Sequence, residues 1–208
     1  DELLALGREQ LAKWPPHLPL TGAMPAQIDA QLANAFALLA QGHDELLEVE
    51  HRIRFSYAPA GGGASHNFVA KIDRIDRLPD GGFRIIDYKT GKAKDALTSP
   101  VGDDLQMCIY AMALTVFGQE PDAATGALPV PTFDDLPRGV AEYWVLSEGV
   151  RGAIDFSELD IAKARENIDF AIAGILAGRF PRRLDAKDKR HQYHCKSTSL
   201  CAILPKWV

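Results

Sequence analysis

The sequence predicts an α/β domain in which a mixed central β-sheet is flanked by α-helices. Three observations carry that expectation. Residues 47–57 alternate between apolar and charged side chains, the period of a half-buried strand. Residues 68–92 form two runs rich in β-branched and aromatic residues around Pro79-Asp80-Gly81-Gly82, where proline presets φ and the glycines accept φ > 0. Segments with helical spacing precede and follow these strands. With 208 residues, 47% of them hydrophobic, the chain can bury the core of one sizeable domain.

Residues 2–14 place Leu3, Leu4, Leu6, Leu11 and Trp14 at helical spacing before Pro15-Pro16 stops the run. A second helix is expected from Ala26 to about Gln41, with Ile28, Leu32, Phe36 and Leu39 on its apolar side and Gly42 at its end. In the first strand, Leu47, Val49, Ile53 and Phe55 oppose Glu48, Glu50, Arg52 and Arg54. Residues 58–65, with Gly61-Gly62-Gly63, read as a hairpin loop; no P-loop lysine or helix follows, so no phosphate cradle is expected there. Residues 91–102 are polar and read as an irregular, mobile stretch.

Asp103 is placed to cap a helix running to Phe117, with Leu105, Ile109, Met112 and Val116 as an apolar stripe and Cys108 as a small buried residue. Residues 120–139 are rich in proline and acid and read as an insertion loop. A strand is expected over 141–147 and an amphipathic helix over 161–177, ended by Gly178. The expected organisation is one domain: a helical part at 1–46, a core at 47–118, the insertion at 119–140, and a sheet extension, helix and basic tail at 141–208. Because Asp1 already lies inside a helical pattern, the chain reads as a piece of a longer polypeptide.

A net charge of −5 and a pI near 5.7 do not mark a typical nucleic-acid binder, although a local basic patch can coexist with an acidic site. Three cysteines are too few for a disulfide scaffold and point to an intracellular, cytoplasmic protein. No stretch is long and apolar enough to span a membrane, and no signal-peptide pattern opens the chain.

The chemistry gathers in the 68–92 hairpin. Phe83, Ile85, Asp87 and Lys89 share one face of the second strand, and Val69, Lys71, Asp73 and Ile75 share one face of the first. Pairing about the turn sets Asp73 across from Asp87. Two close carboxylates require a shared proton or an intervening cation, and oxygen ligands favour a hard divalent ion, Mg²⁺ first. Arg74, Asp76 and Arg77 read as surface charges of the hairpin.

Asp73 followed by Asp87-Tyr88-Lys89 resembles the active-site signature of the PD-(D/E)XK nucleases, whose fold is the restriction-endonuclease-like mixed sheet. Ile72-Asp73-Arg74-Ile75-Asp76, Asp87-Tyr88-Lys89-Thr90-Gly91 and the later Gln106 and Tyr110 are similar to the RecB/AddB-type branch. The match is close over about residues 47–117 and follows the general layout elsewhere. The resemblance implies that Asp73, Asp87 and the backbone carbonyl of Tyr88 hold Mg²⁺ or Mn²⁺, that Glu50 can assist there, and that Lys89 acts electrostatically on the attacking water or the phosphate. Gln106 and Tyr110 would stand beside the site, the glutamine orienting the lysine or meeting the DNA backbone.

The implied function is a DNA exonuclease domain of a repair helicase–nuclease, with DNA and a helicase domain or subunit as partners and no membrane. A nuclease-fold module that binds or scaffolds DNA without cutting is the alternative. Lys92, Lys94 and the cluster Arg179, Arg182, Arg183, Lys187, Lys189 and Arg190 are candidate phosphate contacts. In many RecB-type nucleases three cysteines near this tail join an upstream cysteine around a four-iron cluster. Here Cys195 and Cys201 match two positions and Gln192 stands at the third, so the 4Fe–4S cluster reads as lost. A retained cluster, or a zinc site through His191 or His194, remains the other reading. The family's upstream histidine has no counterpart in a matching context, although His17 and His43 are present.

Overall fold

The computed structural model describes residues 2–13, 24–42 and 44–178. The chain divides into two compact units, one of Asp1–Ala58 with Gly63–Ala164 and one of Pro59–Gly62 with Arg165–Val208. Two helices open the first unit, α1 (Glu2–Ala12) and α2 (Met24–Leu39). They pack on each other, and the Arg8 guanidinium grips the Asp29 carboxylate through Nε and Nη2, the latter at 2.7 Å.

The sheet holds five strands in chain order, β1 (Glu45–Tyr57), β2 (His66–Arg77), β3 (Phe83–Lys89), β4 (Gly139–Val145) and β5 (Val150–Asp155). β3 and β4 are parallel and every other neighbouring pair is antiparallel, which makes the sheet mixed, as expected. The turn between β2 and β3 is closed by the Leu78 and Gly82 backbones at 2.9 Å, with Gly81 at φ +84°. Parallel strands need a crossover. Here the connection carries a short helix α3 (Asp95–Thr98), then α4 (Leu105–Leu114), then a long loop without helix or strand.

α4 is almost wholly buried, with Met107, Cys108, Ala111, Met112 and Ala113 inaccessible. On the other side of the sheet, Leu38 and Leu39 of α2 pack with Ile86, Tyr88, Trp144 and Leu146. Asn34 donates to the Leu146 carbonyl at 2.8 Å, tying α2 to the same end of the sheet where β3 finishes. A single 3₁₀ turn (Phe156–Glu158) leads into α5 (Ile161–Leu176). In the second unit the Ala60 N–H donates to Asp169 Oδ2 at 2.9 Å.

Several boundaries differ from expectation. The helix cap is Asp104, whose Oδ1 accepts the Met107 N–H at 3.1 Å, and Asp103 lies outside the helix. Residues 95–98 are helical inside a stretch expected to be irregular. β5 was not anticipated; its Gly152 exists because α3 presses on it, and a Cβ there would sit 2.2 Å from the Leu97 carbonyl. No helix among the described residues is long and apolar enough to cross a membrane.

Candidate active site

The site forms where β3 runs out of its apolar stretch. Ile85 is buried in the core, Asp87 is only 5% exposed, and Lys89, two residues further on the same face, is half-buried. The β2–β3 register runs from Arg77↔Phe83 to Arg74↔Ile86, and Asp73 and Asp87 lie one step beyond that last pair. Asp73 Oδ2 accepts the Tyr88 N–H at 2.9 Å, which pins the two strands together at that level. On the far side of β2, the pairs Val49↔Arg74 and His51↔Ile72 bracket Glu50 opposite Asp73. Asp73 therefore has a carboxylate near it from each neighbouring strand, Glu50 on β1 and Asp87 on β3.

That row is electrostatically uncomfortable. The Asp73 carboxyl is raised above the ordinary aspartate value, first by burial, with Asp87 and Glu50 adding to it; the Tyr88 N–H and Lys71 pull it back. Glu50 has φ +51°, the single non-glycine residue in that region among the described residues. Such backbone costs about 1–3 kcal/mol and clusters at functional sites. Its carboxylate is ion-paired with Lys71.

α4 supplies the other wall. The Asp104 cap fixes the first turn, and the four-residue spacing brings Gln106 and Tyr110 to the same side. Gln106 Nε2 donates to Asp87 Oδ1 and, at 2.8 Å, to the Tyr110 hydroxyl. Its Oε1 accepts from Lys89 Nζ at 3.2 Å, so one amide bridges the acid and the amine. The Tyr110 hydroxyl donates to Asp87 Oδ1 at 3.3 Å. Burial foremost, with Asp87 and Asp73 adding, pushes that phenol up to about 12, so it keeps its proton at neutral pH.

Lys89 Nζ lies 2.5 Å from Asp87 Oδ2. The approach is an ion pair without hydrogen-bond direction, because Oδ2 is a buried atom with no hydrogen-bond partner. A buried carboxylate oxygen that meets only an ammonium is the kind of hard ligand a divalent cation takes. Among the described residues, however, no three His, Cys, Asp or Glu side chains form a closed metal-binding group. Any ion here would need main-chain or solvent oxygen to complete its shell.

Two contributors were not anticipated. Tyr143 pairs with Asp87 in the parallel β3–β4 ladder, and Lys89 Nζ sits 5.1 Å from its ring centroid. The Tyr143 hydroxyl donates to the Asp104 carboxylate, 3.0 Å from either oxygen. Burial, then Asp104, drives this phenol far upward, so it remains a donor. The alternation of residues 141–147 marked Tyr143 as strand, but its partners depend on the crossover and leave no local signal.

Of the hairpin charges expected at the surface, Asp76 and Arg74 are not there, whereas Arg77 stays partly exposed and donates to the Gly81 carbonyl at 3.0 Å. Asp76 is 2% exposed and holds Arg74 Nε at 2.7 and 2.9 Å on the sheet face opposite the site. Arg84 joins Asp44 and, at 3.3 Å, Glu142, which also accepts from Trp144 Nε1 at 2.7 Å. Arg77 lies over the Phe83 ring, 4.2 Å from its centroid. The β2–β3 strands are covered on both faces, so charges on the second face had to be paired.

Lys92 and Lys94 are exposed on the connection after β3, outside the bonded cluster. The basic cluster from Arg179 to Arg190, Cys195, Cys201, His191, His194, His17 and His43 all lie outside the described residues. Cys108 is a free, buried thiol, raised to about 12 mainly by burial.

A sequence model of the PD-(D/E)XK nuclease superfamily matches residues 2–202. No curated protein gives a significant match. The crystal structure of a protein named SSO0001 aligns over 100% of this chain and 96% of its own, at 15% identity and a TM-score of 0.42, values at which a likeness says nothing of function.

Proposed function

The chain belongs to the PD-(D/E)XK nuclease superfamily, and from that premise we propose that it is a Mg²⁺-dependent deoxyribonuclease of the RecB-like branch. In this reading it is an exonuclease domain working in DNA repair beside a helicase domain or subunit. The observation that carries the proposal is the Asp87 carboxylate. It interacts electrostatically with Asp73, is bridged to Lys89 by Gln106, and has the Lys89 ammonium against its buried second oxygen.

Asp73, Asp87 and the Tyr88 carbonyl would hold Mg²⁺ or Mn²⁺, with Glu50 in line across β1 once it parts from Lys71. Bound there, the ion supplies Lewis acidity at the scissile phosphate. Lys89 stands beside that position, seated over the Tyr143 ring, and offers its N–H donors to the attacking water and to the charge that develops on the phosphoryl oxygens. Gln106 holds Asp87 and Lys89 in one geometry, and Tyr110 keeps Asp87 from turning. Water adds to phosphorus opposite the leaving strand and releases one proton to solvent, the P–O bond breaks, and the leaving oxygen takes a proton from solvent. Lys92 and Lys94, exposed after β3, would meet phosphates entering from that end.

The pairing of Glu50 with Lys71 favours one second reading, a module that binds or scaffolds DNA without cutting. Linear DNA incubated with Mg²⁺ separates the two. The nuclease reading expects cutting that EDTA abolishes and that falls at least about a hundredfold in Lys89→Ala, the scale of one lost electrostatic stabiliser. Retention of DNA by the wild type with no cutting in Mg²⁺ or Mn²⁺ supports the second reading.

A further inference from the structure

The β2–β3 pairing begins at Arg74, so the earlier part of β2 is paired with β1 alone and the two form a ribbon. One face of this ribbon is basic. Arg52 pairs with Lys71 and Arg54 with Val69, and residues opposed in an antiparallel pair share a face. Lys71 and Asp73, two apart on β2, share that face as well. The side chains between these positions, Ile53, Phe55, Ala70 and Ile72, are buried, whereas Arg52, Arg54 and Lys71 are exposed. Arg52 and Arg54 stand about 7 Å apart along the strand, a step on the scale of one nucleotide of extended chain.

These two arginines differ from the rest. Every other arginine among the described residues is engaged within the protein. Arg52 and Arg54 make no ion pair and no side-chain hydrogen bond among the described residues. Carboxylates to pair them are not scarce in a chain with 28 acids against 23 bases. Like charges on neighbouring positions repel, so the fold gains nothing from the pair, and its use lies in what it meets outside. A guanidinium fork matches a phosphate. The carboxylate row repels the same phosphate, so a strand brought to the row has to be gripped beside it. Lys71 joins the two regions: its ammonium is paired with Glu50, and a phosphate arriving along the ribbon offers it a second anion.

We propose that Arg54, Arg52 and Lys71 form a phosphate track, a binding site for the backbone of the DNA strand whose scissile phosphate lies at the carboxylate row. The inference rests on the nuclease reading of that row and deepens it by giving the strand a path along β1 and β2. When the backbone takes Lys71, Glu50 is released toward Asp73. Contacts of this kind hold every sequence alike.

The test measures anisotropy of a fluorescent single strand and of its duplex over a series of NaCl concentrations, in Ca²⁺ to separate binding from cutting. Each phosphate contact adds about 0.7 to the slope of log affinity against log salt on a single strand, and about 0.9 on a duplex. Arg52→Gln with Arg54→Gln should flatten the slope by about 1.4 or 1.8 respectively and weaken binding about tenfold. Arg52→Lys with Arg54→Lys keeps both charges and should keep the slope. Arg138→Gln, just before β4 and paired with Asp80 in the wild type, should leave the slope unchanged. In the wild type, bound DNA should shield Arg52 and Arg54 from phenylglyoxal, read by mass spectrometry. Equal modification of both arginines with and without DNA overturns the track without any variant having to fold. An unchanged slope in the glutamine pair, or no binding of either DNA, overturns it too. Cutting in Mg²⁺ is scored separately: shielded arginines with no cutting defeat the nuclease reading and keep the track, while cutting with both arginines unshielded does the reverse.

Discussion

Asp73 shows what the carboxylate row does to the folded state. Its carboxyl is raised by burial and by Asp87 and Glu50, against the Tyr88 N–H and Lys71. The folded protein thus holds this proton more tightly than the unfolded chain does. The charged form subtracts from stability as the pH rises through the ordinary value of 3.8 and on through the raised folded value. Asp73→Asn removes the charge and keeps an oxygen for the Tyr88 N–H. In EDTA the variant should melt above the wild type at neutral pH, with the gap closing as the pH falls toward 3.8. Thermal denaturation across a pH series checks this, and a variant that melts lower at neutral pH would contradict it. Added Mg²⁺ should raise the melting temperature of the wild type alone, because the ion stabilises only the state that binds it.

At the level of elements, α4 is the part that turns a hairpin into a site. Asp104 caps it and also accepts from Tyr143, so one carboxylate fixes both the helix that carries Gln106 and the ring beneath Lys89. Asp104→Ala should lower stability by about 1–2 kcal/mol, the usual cost of a lost cap, and should reduce kcat with little change in KM. Asp104→Asn preserves the cap and an acceptor for the phenol and should restore most of both. Urea denaturation with steady-state kinetics on the same preparations tests the coupling. Loss of stability with unchanged kcat would leave Asp104 as a cap only.

For the molecule as a whole, the sheet separates two electrostatic regimes. One face leads into the carboxylate row; the other buries paired charges, Arg74 with Asp76 and Arg84 with Asp44 and Glu142. A buried pair is weak evidence of net stability, but breaking it strands an ion. Asp76→Ala should cost about 3–5 kcal/mol for that reason, while Asp76→Leu combined with Arg74→Met should recover most of the loss. Chemical denaturation of the single and double variants measures the difference. An Asp76→Ala protein as stable as the wild type would mean that Arg74 reaches solvent in the folded state.

Much of this molecule is written in local sequence. Period-two alternation over 47–57 and the Pro79-Asp80-Gly81-Gly82 turn are short-range properties, and the turn sets the β2–β3 register that brings Asp73 near Asp87. The four-residue spacing of Gln106 and Tyr110 puts both on one side of α4. What the chain could not declare was the set of contacts made across the β3–α4–β4 crossover and around the hairpin: the Tyr143 seat under Lys89, the Asp104 bridge, and the burial of Asp76. Local pattern says which way a side chain points from its own strand or helix. Only the packing of distant segments decides what it meets there, and how much water is left around it.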